Sequence, residues 1–314
     1  MTQGTINNID FNIYYRFLKF AGDKLTKESL KELAEDFFAA NMHKDISHYL
    51  VNIFAQIACT PSAFNDTLED QYNLKEQGGY PVDFREIPDV KGYHQIFTLW
   101  GYDLVGEMIG YFRSHGKPAF LSFRMNDVHG NPEKTTWIRS SMYYKAKEKG
   151  WSFGNKYGGR GMCLDFALKE VQDHFLGYLS EQLERYDTDG VELDFLRDMV
   201  NTDYLGHPDC YPALTGFMRR VRQTVALWEE KRKHPIAVWT RHGGSMAHNK
   251  VLGYDILTWA KEKLIDEMLK DFKNKAYKLA ILIKICAKES YSTLGRYLAK
   301  YWNNGEWDYD IFKE

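Results

Sequence analysis

Asp189-Gly190-Val191-Glu192-Leu193-Asp194-Phe195-Leu196-Arg197-Asp198 is the stretch on which the reading of this chain turns. It opens with the turn pair Asp189-Gly190 after a long amphipathic run. Strand alternation sets Glu192 and Asp194 on one face, with Val191, Leu193 and Phe195 on the other. Two carboxylates on a short apolar strand are costly to bury unless they are paired, hydrogen-bonded or at an open end. A strand whose C-terminal end opens into a pocket resolves that cost, as in a (β/α)8 barrel. An ion pair with Arg197 or another strand's arginine resolves it too, and the two acids are then structural.

The flanking segments repeat the pattern. Upstream, Asp165–Tyr186 carries Leu168, Val171, Phe175, Leu179 and Leu183 at helical spacing and leads into the central strand. Before it, Ala119–Arg124 reads as a strand in which Ser122, Arg124 and Asn126 share a face, running on into Asp127 and His129. An arginine there needs an acceptor, and Glu192 or Asp194 is the natural one. Tyr49–Ala58 reads as one buried strand with Asn52 and Gln56 on a common face, and 5–15 holds a first strand. Thr26 is a plausible N-cap for a helix bearing Leu30, Leu33, Phe37 and Phe38, and Asp103–Ser114 is a second helix. Downstream, 235–244 ends in Arg241, His242 and two glycines, after a basic helix over 214–228 whose arginines read as a solvated face. Strand, loop and helix alternate throughout, the α/β signature.

About six barrel-like strands are counted. The expected fold is therefore a TIM-type (β/α)8 barrel over 1–268, incomplete or altered at its C-terminal side, followed by a helical tail over 269–314. The connection over 131–163 carries Trp137 and several tyrosines, and a loop so long is usually functional.

Composition narrows the function classes. Lys+Arg 41 against Asp+Glu 43 gives a formal charge of -2, without the basic footprint of a nucleic-acid binder. Aromatic residues make up 15% of the chain, which suits stacking on sugar rings and ordinary barrel packing equally. Cys59, Cys163, Cys210 and Cys286 are isolated and read as reduced thiols rather than a disulfide framework. The first ten residues lack the pattern of a secretory signal, and no apolar run is long enough to span a membrane. A cytoplasmic location is the default expectation. P-loop, post-strand GxGxxG and GxSxG signatures are all missing, as is HExxH or HxH metal spacing, so neither cofactor nor metal is expected.

Three segments together carry a resemblance: 122–129, then 164–167 through 185–197, and 253–259. Over roughly residues 48–268 the chain resembles bacterial glycoside-hydrolase-like TIM-barrel proteins loosely allied to the family 10-like glycosyl hydrolases. The resemblance implies a barrel and a carbohydrate substrate, an oligo- or polysaccharide. The tail departs from the family's closing strands, where related barrels often carry a second catalytic carboxylate. Laid on the chitinase motif DGxDxDxE, Glu192 and Asp194 take the two Asp positions and Leu196 the final acid, which argues against a substrate-assisted mechanism.

Glycoside hydrolysis generally uses one protonated carboxyl and one carboxylate. Glu192 is the expected general acid or base, its pKa raised by Asp194 nearby, with Asp194 orienting Arg124 or sharing the proton. Asp127 is the expected second carboxylate. Arg124, Asn126, His129, Arg197, Arg241, His242 and Trp137 are the expected sugar contacts. The three arginines also fit a structural ring of ion pairs, with no preference between the two readings. The alternative function is a non-catalytic carbohydrate-binding barrel that has lost its second acid.

Overall fold

In a computed structural model of the chain, residues 5–74, 83–127, 140–154, 163–203, 210–243, 249–250, 252–270, 302–303 and 306–307 are described. Six parallel strands are laid down in chain order: β1 (Thr5–Ile9), β2 (Ile46–Ala55), β4 (Ala119–Arg124), β5 (Gly190–Asp194), β6 (Ala237–His242) and β7 (Glu267–Lys270). A short β3 (Ile57–Ala58) folds back antiparallel on β2. Parallel neighbours need crossovers. These are α1 (Ile13–Ala21) with α2 (Leu30–Asn41), α3 (Leu68–Tyr72) with α4 (Pro88–Tyr93) and α5 (Leu104–Ser114), α6 (Ser141–Lys149) with α7 (Lys169–Arg185), α8 (Cys210–Arg232) and α9 (Ile256–Lys261).

The sheet is strongly curled. His48 on β2 and Trp239 on β6 lie three strand steps apart, about 14 Å in a flat sheet, yet their ring centroids are 4.8 Å apart. Phe120 on β4 closes the same inner cluster, 4.3 Å from Trp239. Leu50 joins them, while the other face of the sheet packs into the large outer core with the helices. This is an incomplete TIM-like barrel. Eight strands are not shown, and among the described residues β1 and β7 do not pair with each other.

Register stacks the inner face in layers. Leu50, Phe120, Gly190 and Ala237 form the lowest, Asn52, Ser122, Glu192 and Trp239 the next, and Arg124, Asp194 and Arg241 the one nearest the C-terminal ends. The lower end pins that register. Asp189 accepts from Ala119 N (2.9 Å) and Arg113 Nε (3.1 Å), and Thr188 Oγ1 donates to Ala119 O (2.7 Å). Gly190 is required beside them, since a Cβ there would sit 2.4 Å from the Phe120 ring.

Several expectations change. The helix read from Thr26 begins at Leu30, because Thr26 and Ser29 bond to each other in a turn before it. The strand read as unbroken to Ala58 turns at Gln56, whose φ is 69, so Asn52 and Gln56 share no strand face. Asp165–Leu168 precedes α7 rather than belonging to it. β7 extends the sheet to Lys270, and of the tail read as helical the further described residues, 302–303 and 306–307, form a two-stranded antiparallel pair. Among the described residues no helix is long and apolar enough to cross a membrane. Cys59 and Cys163 are buried, and neither is in a disulfide.

Candidate active site at the strand ends

Glu192 lies at the centre of the inner face and is fully buried. Its neighbours follow from the register: Ser122 beside it on β4, and Arg241 one layer up on β6. Ser122 Oγ donates to Glu192 Oε2 at 2.5 Å, and Arg241 Nε lies 2.8 Å from Oε1. Arg241 Nη1 reaches Asp194 Oδ2 at 3.5 Å, while Asp194 Oδ1 accepts from Leu196 N at 2.8 Å. One guanidinium thus bridges both acids of the central strand.

Burial is the chief influence on Glu192, and it disfavours the charged carboxylate. Arg241 and the Ser122 hydroxyl pull the other way, and Asp194 adds to burial; the net result is a pKa pushed up to about 7. The sequence reading named Asp194 as the cause. Desolvation is the larger of the two influences, and Arg241 opposes both.

Arg124 takes a different course from the expected one. It pairs with neither Glu192 nor Asp194. Its Nη1 lies 3.0 Å from Asp127 Oδ2, and its Nη2 donates to Asp10, immediately after β1. The reason is curvature: β1 and β4 flank β2, and the curled face brings the end of β1 within reach of a long β4 side chain. Asp127 is fully buried between Arg124 and Arg197, whose Nε lies 3.4 Å from the same oxygen. The three arginines therefore make ion pairs in two groups, Arg124 and Arg197 with Asp10 and Asp127, and Arg241 with Glu192 and Asp194.

Asn126 is buried and engaged by protein. Its Nδ2 donates to Leu164 O, Val200 O and Asn201 Oδ1, and its Oδ1 accepts from Leu164 N and Tyr143 OH. Asn201 continues the network to Tyr254 OH at 2.8 Å. His242, read as a loop residue, is the buried last residue of β6, and alternation turns its ring to the face opposite Arg241. His129 and Trp137 lie outside the described residues. Among the described residues no group of three or more His, Cys, Asp or Glu is placed to hold a metal ion.

Sequence reasoning missed Asp10, Asn201 and Tyr254. Asp10 carries a signal in retrospect: an acid directly after an alternating segment and just ahead of a helix start. Tyr254 lies in the 253–259 segment that carries the resemblance, though no role was read for it, and Asn201 carries no signal.

No protein-family model matches the chain, and no curated protein does. Among solved structures it is similar to a glycoside hydrolase family 18 N-acetylglucosaminidase from Paenibacillus barengoltzii, at 12% identity and a TM-score of 0.33, covering 85% of this chain and 52% of that one. It is similar to the galactosidase domain of an alpha-galactosidase-sucrose kinase, at 14% identity and TM-score 0.40, covering 92% and 32%. A third is alpha-L-fucosidase isoenzyme 1 from Paenibacillus thiaminolyticus, at 11% and 0.35, covering 77% and 53%. The chain spans about half the length of these solved chains or less. Likeness at this level fixes neither reaction nor substrate.

Proposed function

We propose that the chain is a glycoside hydrolase acting on an oligo- or polysaccharide at the C-terminal ends of its strands, with Glu192 as the general acid. The observation that carries this reading is the state of Glu192. It is a carboxyl buried among Ser122, Arg241 and Asp194, with its pKa pushed up to about 7. Such a group still holds a proton near neutrality and can pass it to a glycosidic oxygen. Arg241 steadies the carboxylate left behind, and Asp194 holds Arg241 in place.

The charge balance favours a neutral sugar. Arg124, Arg197 and Arg241 each already face a carboxylate, so among the described residues these three arginines leave no surplus positive charge for a uronic acid. Hydroxyl groups remain good partners for guanidinium edges and carboxylate oxygens.

A non-catalytic sugar-binding barrel is the second reading. It is favoured by the full burial of Glu192 together with its direct pairing to Arg241. A screen of neutral and uronic aryl glycosides and polysaccharides, wild type beside Glu192→Gln, separates the two. The hydrolase reading expects turnover of neutral substrates that falls at least about 100-fold in Glu192→Gln. Sugar-induced stabilisation without turnover, unchanged by the substitution, establishes the binding barrel instead.

A further inference from the structure

Every carboxylate that these three arginines pair with is shielded except one. Asp127 and Glu192 are fully buried and Asp194 nearly so, whereas the Asp10 side chain is 55% exposed. Asp10 follows the last residue of β1, and its level can be counted. Asn8 lies beside Leu50 of the inner apolar layer. Two residues further on, Asp10 comes level with Asn52, and hence with Ser122 and Glu192. Its contact with Arg124, an inner-face residue, agrees with that count. Oδ1 accepts from Phe11 N at 2.8 Å and from Arg124, while Oδ2 makes no hydrogen bond among the described residues. The carboxylate is therefore oriented, accessible and half unused.

We infer that Asp10, rather than Asp127, is the second catalytic carboxylate, a general base in an inverting hydrolysis, with Arg124 as its positioning residue. This rests on the hydrolase reading above. β1 and β5 are separated by β2 and β4, about 14 Å along the sheet and less across its concave face. Three strand steps on a concave face leave room for a water between the two carboxyls, as the about 6.5–9.5 Å of an inverting pair requires, whereas direct attack uses carboxyls about 5 Å apart. Asp10 Oδ2 takes one proton from water as the water oxygen bonds to the anomeric carbon. The carbon–oxygen bond to the leaving sugar breaks on the opposite side, and its oxygen takes the proton of Glu192. Water has been added across the bond, and one proton returns from Asp10 to Glu192 through solvent.

The test compares Asp10→Asn, Asp127→Asn and Glu192→Gln on the substrate the wild type turns over, with thermal melts of each. Product configuration is followed in wild type by proton NMR, which needs no variant. Inversion is expected, with a kcat loss of about 100- to 10,000-fold in Asp10→Asn, an unchanged melting temperature and a KM within a few-fold. Azide should restore turnover to Asp10→Ala, giving the glycosyl azide of inverted configuration. Retention in wild type overturns the assignment, as does an Asp10→Asn variant within threefold of wild type. If Glu192→Gln is inactive while Asp10→Asn works, only the role of Asp10 falls. A wild type that turns over nothing in the panel overturns both readings.

Discussion

Ser122 is one of the groups that weigh on the proton of Glu192. Its hydroxyl stabilises the ionised carboxylate and so opposes the effect of burial. Removing it should let Glu192 keep its proton to higher pH. In wild type, kcat/KM should decline above about pH 7, as the general acid is lost. In Ser122→Ala that alkaline limb should move upward in a pH–rate profile, and a limb that moves downward would contradict the assignment. At this scale the sequence was legible for residue types and not for pairings. Alternation placed Glu192 and Asp194 correctly on one face, and an ion pair with another strand's arginine was among the options. Which arginine it was depended on curvature, and curvature comes from Phe120, Trp239 and His48 meeting across the concave face. No local pattern encodes that encounter.

Among the elements, α1 shows how a distant side chain replaces a local cap. Asn12 occupies the N-cap position without capping, and Asp89, from the start of α4, accepts from Tyr15 N at 2.9 Å instead. Burial raises the pKa of Asp89 from its ordinary 3.8 to about 6. The folded state therefore binds this proton more tightly than the unfolded chain. The resulting stabilisation is complete below pH 3.8 and is lost as the pH rises through about 6. Asp89→Asn keeps the acceptor and removes the charge. It should stabilise the protein at pH 7 by up to about 3 kcal/mol and flatten the stability profile between pH 4 and 6 in urea titrations. Helices with a clean stripe, such as α5 and α7, were readable from spacing to within a few residues. The turn at Gln56 was not, because Gln is an ordinary strand residue and its left-handed backbone is imposed by the reversal into β3.

For the whole molecule, the open sheet depends on its inner apolar cluster to stay curled. Trp239 lies two residues before Arg241 on the same face, so the apolar packing and the Arg241 ion pairs share a strand. Trp239→Ala should cost about 3–5 kcal/mol, read from urea unfolding, and on the hydrolase reading should also lower turnover sharply. A destabilised variant with unchanged kcat would show that the Arg241 ion pairs hold their geometry without the cluster. The α/β class and the six-strand count were visible in the alternation of segments. Whether the barrel closes was not, since closure is decided by contacts between residues far apart in the chain.

The sequential order of the sheet also sets a timetable. Glu192 leaves the ribosome about fifty residues ahead of Arg241. A nascent chain that has docked β1 to β5 already has a place for the carboxyl on the concave face but lacks its cation. In that interval burial acts on Glu192 without the main opposing influence, so the group should hold its proton more firmly than in the finished protein. Docking of β6 then brings Arg241 to the carboxyl and weakens its hold on the proton.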